Sequence, residues 1–578
     1  MPLPRTLNLP PTGWTLAGLL AFYVLAGLFG HDPWKSEDVV HLAIARHLLE
    51  SGPGSGLVLA GQPFFHAPLY YWSAALTGFL FGGMFPLHDA LRLASGGWMA
   101  LTLMTGYYTA REYYGQDSAA AAPLLLAGSF GLIVTAHEAQ PMLVLLAAVS
   151  LQLLACSLLL RKPGTAALLL ALAFMLAGAS SGSAGLFLMV MLLALDVLIK
   201  TPPRTALGNL MFFLVGGGLL LTGTDVPFNN VRLFLLGILI LSLDTLCEKT
   251  SIRPTAYGIL GSALLMWLLT LWLASTAPEW FQGWITQERS FFSTTAYLEK
   301  ILALARMLPL FSWPLLPLAC WSLWQKRRKG QWRQPEFLAP LLALGLLFFG
   351  LPLLFPIREH TAMLLLPPLA LLATPGALAL RRGAANAFDW FSGMAFSVFV
   401  LLLWIGWSAM VLGWPARLAK QAVKLNPGFV GHFDLLPFLL ALAGTLWWIW
   451  SLAGLPRSPY RCLTRWTAGL VIGWLLAVSL WLPWVDYGKS YRQLTNDLAH
   501  QIPKQEPCVS ESNLGSAQRA SFSYFAGLTF TPLDLANPAA CRLLLTQNAL
   551  PDPQYWEQIW QGTRPGDRKE RFRLYQRR

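Results

Sequence analysis

Apolar runs that are long enough to cross a lipid bilayer recur along this chain from residue 14 to about residue 485. A helix needs roughly 20 mostly apolar residues to span the hydrocarbon core of a membrane. The 578 residues are 55% hydrophobic and only 12% charged, with a mean hydropathy of +0.51, and no water-soluble core hides that much apolar surface. The sequence therefore predicts an α-helical polytopic membrane protein, and it excludes a soluble enzyme, a disordered scaffold and a single-anchor receptor.

Lys and Arg outnumber Asp and Glu by 41 to 28, which gives a formal net charge of +13. Most of these cations lie in short loops between apolar runs, where they set the orientation in the membrane, so no nucleic-acid partner is expected. With the N-terminus inside, the basic loops all fall on the cytoplasmic side: 161–162, 200–204, 249–253, 326–333, 381–382 and 457–465. The spacing predicts about 13 to 15 transmembrane helices.

Two stretches leave alternatives in this count. The apolar segments 165–182 and 184–199 are either two helices or one broken helix. The segment Leu69 to Phe85 is also long and apolar, but counting it as a span would invert every later loop. We therefore expect it to lie at the membrane surface or to dip partway into the bilayer.

The chain divides into a transmembrane domain, 1–485, and a soluble domain outside the membrane, 486–578, where charged residues return. The transmembrane domain has a first periplasmic loop with juxtamembrane helices, 32–87, and a further periplasmic loop, 276–302. In the soluble domain, helices and strands alternate, which is typical of a small α/β unit. Its expected helices are 491–501, 517–525 and 554–560, and its expected strands are 508–510, 541–546 and 570–575.

The six cysteines form two groups. Four lie in or beside apolar runs without the spacing of a metal site, and we interpret them as small apolar residues: Cys156, Cys247, Cys320 and Cys462. Cys508 and Cys541 each open a predicted strand, and neighbouring parallel strands would bring their Cα atoms within the roughly 4.4–6.8 Å that a disulfide needs. An oxidising compartment would close this disulfide. The alternative is two reduced, buried cysteines.

A pair of carboxylates follows the first span. Glu37 and Asp38 stand together at a membrane face, at the start of an amphipathic helix that runs to Ser51. One interpretation is structural, because Ser36 is a good N-cap and acidic residues in a first turn favourably meet the helix dipole. The other is catalytic.

The surrounding motifs favour chemistry. The segment Asp32 to Asp38, the segment Gly61 to Phe64 and the segment Pro68 to Trp72 resemble the bacterial members of the protein O-mannosyltransferase and aminoarabinose (lipid A) transferase family. This resemblance implies the GT-C fold of membrane glycosyltransferases. It also implies that an acidic pair in the first periplasmic loop supplies the catalytic carboxylate, here Glu37 and Asp38.

The resemblance covers nearly the whole chain. It extends to Phe311–Leu318, to Arg358-Glu359, to Leu366–Leu372, and in the tail to Asn513–Gly527 and Arg564–Arg568. Single pieces are weak, but their order and spacing together are fairly specific. The family position implies a bacterial inner (plasma) membrane protein whose C-terminal domain is periplasmic.

The sequence also departs from the family pattern. The acidic pair is inverted, so Glu37 stands where the family has its catalytic Asp, and Phe65 and His66 replace a Glu-Lys pair. A longer stem on the carboxylate shifts its placement by about 1 Å, which can cost on the order of 10²-fold in rate. Near the family's second acidic site the matching Asp is missing, and Glu138 is the only nearby carboxylate.

A polyprenyl-phosphate donor needs cations for its phosphate at the membrane face. The candidates are His66 when protonated, Arg358, Arg289 and Lys300. For Arg289 and Lys300 the alternative is solvated loop charge. A divalent metal stays open, with its ligands unknown.

The leading hypothesis is an inverting glycosyltransferase of the inner membrane. It would move a sugar from a polyprenyl-phosphate donor to a periplasmic acceptor: lipid A, another envelope glycan or a protein. The alternatives are a transporter or flippase of a lipid-linked substrate, and a catalytically silent family member that binds lipid carrier or partner proteins. Membrane lipids are partners in every case.

Overall fold

The computed structural model describes residues 13–34, 37–200, 253–288, 292–455, 458–503, 508–532 and 541–578. Within them the chain is mostly helical up to residue 501, and a sheet follows. The sequence expectation of a helical membrane protein with a small C-terminal α/β domain is confirmed.

The first part of the chain, up to residue 200, consists of helices and one short β-hairpin. Its helices and one short hairpin are α1 (Gly13–Leu25), α2 (Glu37–Ser51), β1 (Val58–Leu59), β2 (Gln62–Pro63), α3 (Leu69–Phe81), α4 (Leu87–Tyr114), α5 (Ala121–Ala127), α6 (Leu132–Thr135), α7 (Met142–Leu158) and α8 (Pro163–Lys200). The predicted helix after Leu69 is therefore present as α3, whereas its depth in the membrane stays a prediction.

The second part of the membrane domain begins after the gap at 201–252. Its helices are α9 (Arg253–Thr276), α10 (Pro278–Glu288), α11 (Tyr297–Phe311), α12 (Leu315–Arg328), α13 (Pro335–Leu354), α14 (Glu359–Ala362), α15 (Leu366–Leu378), α16 (Arg382–Val411), α17 (Ala416–Leu425), α18 (Leu435–Gly454), α19 (Arg461–Leu476) and α20 (Leu482–Lys489).

Seven helical stretches among the described residues are long and apolar enough to cross a membrane, or eight if the bent pair α11 and α12 is one span. Large apolar side chains stand exposed on several of them, such as Phe399 on α16 and Leu446 on α18. In a bilayer such side chains face lipid. The protein is a multi-pass membrane protein, and the full number of 13 to 15 spans stays a prediction.

The apolar stretches 165–182 and 184–199 form two helical segments, labelled together as α8, that meet at a break at Gly182. Helix α8 is interrupted at Gly182, which has φ 54° and ψ −137°. This left-handed backbone is readily adopted only by glycine. The break therefore has a local cause in the sequence.

The C-terminal domain comprises α21 (Arg492–Gln501), β3 (Cys508–Ser512), α22 (Ser516–Ala526), β4 (Thr529–Pro532), β5 (Leu543–Gln547), β6 (Trp556–Arg564) and β7 (Asp567–Arg577). The sheet order is β4-β3-β5-β7-β6, with β3 parallel to both β4 and β5 and with β7 antiparallel to β5 and β6. Its core includes the buried rings of Phe522, Phe530 and Phe572.

Two parts of this domain differ from the sequence expectation. The helix expected at 554–560 is wrong, because Trp556–Arg564 is a strand that pairs with β7 along its length. Tyr555, Trp556, Ile559 and Trp560 have a spacing that fits a helix, but pairing with the next strand in a hairpin decided the outcome. The strand β4 was not anticipated.

The cysteine expectations concern the same sheet. Cys541 is disulfide-bonded, whereas Cys156, Cys320 and Cys462 form no disulfide. Val509 pairs with Leu543 across the parallel strands β3 and β5, so the backbone at Cys508 lies on the strand next to Cys541. The specific pairing of Cys508 with Cys541 stays a prediction, and Cys247 lies outside the described residues.

Candidate functional site

A cavity of about 880 Å³ opens where the region between α1 and α4 meets helix α8 and the segment before α14. Its volume lies in the range of small-molecule sites. Its wall includes polar and charged side chains from distant parts of the chain: Glu37, His41, His66, Gln140, Ser181, Gln287, Glu288, Ser293, Lys300, Arg358, His360 and Ser516.

Glu37 reaches this cavity because it is the first residue of α2. Its carboxylate forms an ion pair with Arg358 and lies 3.3 Å from Nδ1 of His360. Gln140 donates to the same carboxylate from Nε2 at 3.3 Å. The Glu37 side chain is 33% exposed, so the cavity offers one accessible carboxylate with basic side chains on two sides.

Asp38 points away from the cavity into a buried network. Arg92 donates to its carboxylate from Nη2 at 2.7 Å and from Nε at 3.2 Å, and the backbone N–H of Ala139 donates at 2.7 Å. Burial opposes ionisation here, but the charge and hydrogen bonds of Arg92 outweigh it and hold the pKa of Asp38 below its ordinary value. The structure thus separates the two sequence candidates, and only Glu37 faces the space where a ligand fits.

The phosphate candidates occupy different positions. Arg358 and Lys300 both line the cavity, and Nζ of Lys300 donates to the backbone carbonyl of Pro352 at 3.2 Å. The Arg358 side chain is 62% exposed, so it is free to reorient toward a ligand. Arg289 lies outside the described residues.

His66 also lines the cavity, but as part of an aromatic wall. Its ring stacks on Phe64 with centroids 6.1 Å apart, and Tyr71 lies edge-on to both rings. Burial lowers the pKa of His66 below its ordinary value. In the free protein the imidazole is therefore neutral near pH 7, and the protonated form expected for phosphate contact is disfavoured.

Glu138 lies in the turn between α6 and α7, beside Ala139, whose N–H binds Asp38. Burial raises the pKa of Glu138 to about 8, and repulsion from Asp38 adds to the effect. Glu138 does not belong to the described wall of the cavity. Within the described ranges, no three His, Cys, Asp or Glu side chains come together as a metal site.

Sequence reasoning missed Glu288, which lies at the end of α10 and lines the cavity. Its carboxylate accepts a hydrogen bond from the backbone N–H of Ser183 at 2.6 Å and one from Nε1 of Trp284 at 3.2 Å. A Cβ at Gly182 would overlap this carboxylate. Glu288 thereby caps the second half of the broken helix α8, and the run of small residues 179–185 inside an apolar helix was the available signal.

The C-terminal domain adjoins the same region. Asp32, between α1 and α2, accepts hydrogen bonds from Nε of Arg492 at 2.9 Å and from Oγ of Ser490 at 2.6 Å. Nη1 of Arg519 donates to Oε1 of Gln62 at 3.1 Å. Ser516 and Ala517, in the first turn of α22, form part of the cavity wall.

Comparisons with known proteins agree with this architecture. The model of the dolichyl-phosphate-mannose-protein mannosyltransferase family (PMT_2) matches residues 65–225. The crystal structure of ArnT from Cupriavidus metallidurans bound to undecaprenyl phosphate is similar with a TM-score of 0.55 at 14% identity, over 98% of each chain. The apo form of the same protein gives a TM-score of 0.52 at 15% identity, also over 98% of each chain. Compared with curated protein sequences, the chain has no match.

The apolar helices, the C-terminal sheet and these fold similarities define a multi-pass membrane protein with the GT-C fold. The resemblance predicted from the sequence motifs, to the protein O-mannosyltransferase and aminoarabinose transferase family, is confirmed by the matched segment and by the fold.

Proposed function

We propose that the protein is an inner-membrane glycosyltransferase that moves a hexosyl or pentosyl group from a polyprenyl-phosphate donor to an acceptor on the periplasmic side. The observation that carries the proposal is the position of Glu37. Its carboxylate stands in the cavity between Arg358 and His360, in the loop where the family resemblance expects the catalytic acid.

The cavity suits a donor with a charged and an uncharged part. Arg358 and Lys300 supply cations for a phosphate, and the wall of Phe64 and His66 supplies neutral ring surface for a sugar. The isoprenoid tail of the donor stays in the bilayer, beside the apolar helices of the protein. The similar structure of ArnT from Cupriavidus metallidurans, matched over 98% of each chain, is bound to undecaprenyl phosphate, which supports a lipid-phosphate ligand for this fold.

The charged groups fit a single displacement. An acceptor hydroxyl or amine attacks the anomeric carbon, the acceptor oxygen or nitrogen bonds to that carbon, and the bond to the phosphate oxygen breaks. Glu37 accepts the proton of the acceptor as general base. The leaving polyprenyl phosphate departs as an anion, so Arg358 and Lys300 stabilise its developing charge and no general acid is needed. Attack opposite the leaving group inverts the anomeric centre.

Arg358, the ion-pair partner of Glu37, also lines the cavity in which a donor phosphate would bind. A donor phosphate offers the guanidinium a second anionic partner with the bidentate geometry that arginine prefers. When Arg358 turns to the phosphate, the Glu37 carboxylate is released toward the acceptor. Donor binding and activation of the base are coupled in this way.

The side of the membrane follows from the basic loops. The positive-inside rule assigns 326–333, 381–382 and 457–465 to the cytoplasm. The cavity is built from segments between or opposite these loops, at 37–67, 287–288, 293–300 and 353–360, together with the domain beyond residue 485. This supports a periplasmic site and a periplasmic C-terminal domain. The acceptor is lipid A, another envelope glycan or a protein.

The test compares cells that carry the wild type, a deletion or Glu37→Gln. Envelope lipids, glycans and proteins are analysed by mass spectrometry, and the pool of polyprenyl-phosphate sugar is measured in parallel. We expect one glycan to disappear in the deletion and in Glu37→Gln while the donor pool rises. A deletion defect that Glu37→Gln fully restores would contradict catalysis and favour a transporter or a silent binding protein.

A further inference from the structure

The C-terminal domain contributes directly to the cavity wall. Ser516 and Ala517 lie in the first turn of α22, and they line the same space as Glu37. Among the described residues of that wall they are the two that come from beyond residue 485. Ser516 is exposed and Ala517 is half-buried, so small side chains border the open volume here.

The position of this turn relative to the first outer loop is fixed at its base. Arg519, one turn further along α22, donates to Oε1 of Gln62 at 3.1 Å and to Oε1 of Glu511 at 2.7 Å. The backbone N–H of Phe530 donates to the carbonyl of Ala60 at 2.9 Å. These contacts join β3, α22 and β4 to the β1–β2 hairpin that leads into the cavity wall.

Further contacts hold the C-terminal domain against α2 and against the loop that precedes α2. Arg46 on α2 donates to the backbone carbonyl of Tyr524 at the far end of α22, and α2 packs along α22. Asp32 is bound by Arg492 and Ser490, and these hydrogen bonds outweigh its burial and hold the pKa of Asp32 below its ordinary value. The helix that presents Glu37 and the helix that presents Ser516 are thereby packed as neighbours.

The cavity wall combines residues from two parts of the chain. Lys300 lies in the first turn of α11, and Arg358 lies between α13 and α14, so both cations come from the region of the candidate membrane spans. The C-terminal domain lies beyond the last candidate span, which ends at Lys489, so it contacts the part of a ligand that leaves the bilayer. In an in-line displacement the attacking group approaches from the side opposite the leaving phosphate.

We propose that the first turn of α22 forms a wall of the acceptor subsite, and that the C-terminal domain therefore takes part in selecting a hydroxyl-bearing acceptor. This inference rests on the proposed function, and it adds which residues of the C-terminal domain border the acceptor. The Ser516 hydroxyl and the space beside Ala517 meet the head group of the acceptor, whereas the donor phosphate binds at the cations of the membrane region.

The experiment places a large side chain in this wall. Full-length wild type, Ser516→Trp and Ser516→Ala are compared in proteoliposomes, and Gln558→Trp serves as control because Gln558 is an exposed residue of β6 outside the described cavity wall. Two quantities are measured: the affinity for undecaprenyl phosphate, and the transfer of labelled sugar from polyprenyl phosphate to envelope membranes of the deletion strain.

We expect Ser516→Trp to lower sugar transfer at least tenfold while its affinity for undecaprenyl phosphate stays within twofold of wild type. Ser516→Ala should lower sugar transfer by less than Ser516→Trp, and Gln558→Trp, outside the described wall, should keep both quantities within about threefold. Unchanged transfer by Ser516→Trp, or an equal loss of undecaprenyl phosphate binding, would overturn the acceptor assignment. If the wild type itself transfers no sugar, the proposed function fails and the acceptor subsite fails with it.

Discussion

The carboxylates of Glu37 and Asp38, adjacent in the chain, have different environments at the N-terminus of α2. Glu37 faces the cavity and pairs with Arg358, which is 62% exposed, whereas Asp38 is buried and pairs with Arg92, whose side chain is 0% exposed. One carboxylate is therefore available to a ligand, and the other holds the loop in place. We therefore expect substitution of Asp38 to lower stability and substitution of Glu37 to lower the rate of sugar transfer.

Asp38→Asn should lower the free energy of unfolding. It leaves the Arg92 guanidinium buried without its main anion, and breaking a buried pair typically costs about 3–5 kcal/mol. Denaturant unfolding in detergent measures this loss. The control is Glu50→Gln, which removes an exposed partner of Arg46 and should cost less than about 0.5 kcal/mol. An Asp38→Asn protein as stable as wild type would refute the structural role.

The two cavity cations, Arg358 and Lys300, should strengthen binding of the donor phosphate. Arg358→Ala and Lys300→Ala each remove one charge from the phosphate end, and we expect each to weaken undecaprenyl phosphate binding by about tenfold, since a charged hydrogen bond contributes roughly 1.5–3 kcal/mol. Isothermal titration or native mass spectrometry provides the affinities. Arg382→Ala, an exposed cation at the start of α16, should leave the affinity unchanged. Equal effects of all three substitutions would indicate nonspecific charge attraction.

The break in α8 should tolerate no side chain at Gly182. In Gly182→Ala the left-handed backbone is strained, and the new Cβ meets the Glu288 carboxylate that caps Ser183. We expect a stability loss of about 1–3 kcal/mol, together with weaker donor binding. Gly164→Ala, in the first turn of the same helix with open space around it, is the matched control. Similar unfolding midpoints for the two variants would argue against the cap.

Glu138 should make stability depend on pH. Its pKa in the folded protein is about 8, against an ordinary value of 4.5, because burial and then the charge of Asp38 disfavour its ionised form. The folded state therefore binds this proton more tightly than the unfolded state, and the stabilisation is complete below about 4.5 and is lost as the pH rises through 8. We expect the melting temperature of wild type to fall relative to Glu138→Gln between pH 6 and pH 9. Parallel pH profiles would contradict the burial of this carboxyl group.

Much of the fold followed from local patterns. The start of α2 at Glu37 was predictable because acidic residues favour a helix N-terminus. For 165–199 the sequence left two helices or one broken helix open, and the structure locates the break at Gly182. The strand β6 was not predictable, because Tyr555, Trp556, Ile559 and Trp560 have a helix-like spacing and only the pairing with β7 makes this run a strand.

The division of labour within the acidic pair could not be read from the sequence. Arg92, which holds Asp38, is 54 residues away in the chain, and Arg358, which pairs with Glu37, is 321 residues away. Glu288 was missed for the same reason, because Ser183, whose N–H its carboxylate caps, lies 105 residues earlier in the chain. Spacing predicted where the site lies, but tertiary contacts decide which side chain faces the cavity.

The central claim is that Glu37 is the base for sugar transfer. The most direct measurement is the single-turnover rate at which purified protein in proteoliposomes moves labelled sugar from polyprenyl phosphate to envelope membranes of the deletion strain, compared between wild type and Glu37→Gln. We predict a drop of at least about 100-fold in Glu37→Gln, with undecaprenyl phosphate affinity within threefold of wild type, since general-base catalysis contributes about 10²–10⁴-fold. A Glu37→Gln rate within twofold of wild type would contradict the account.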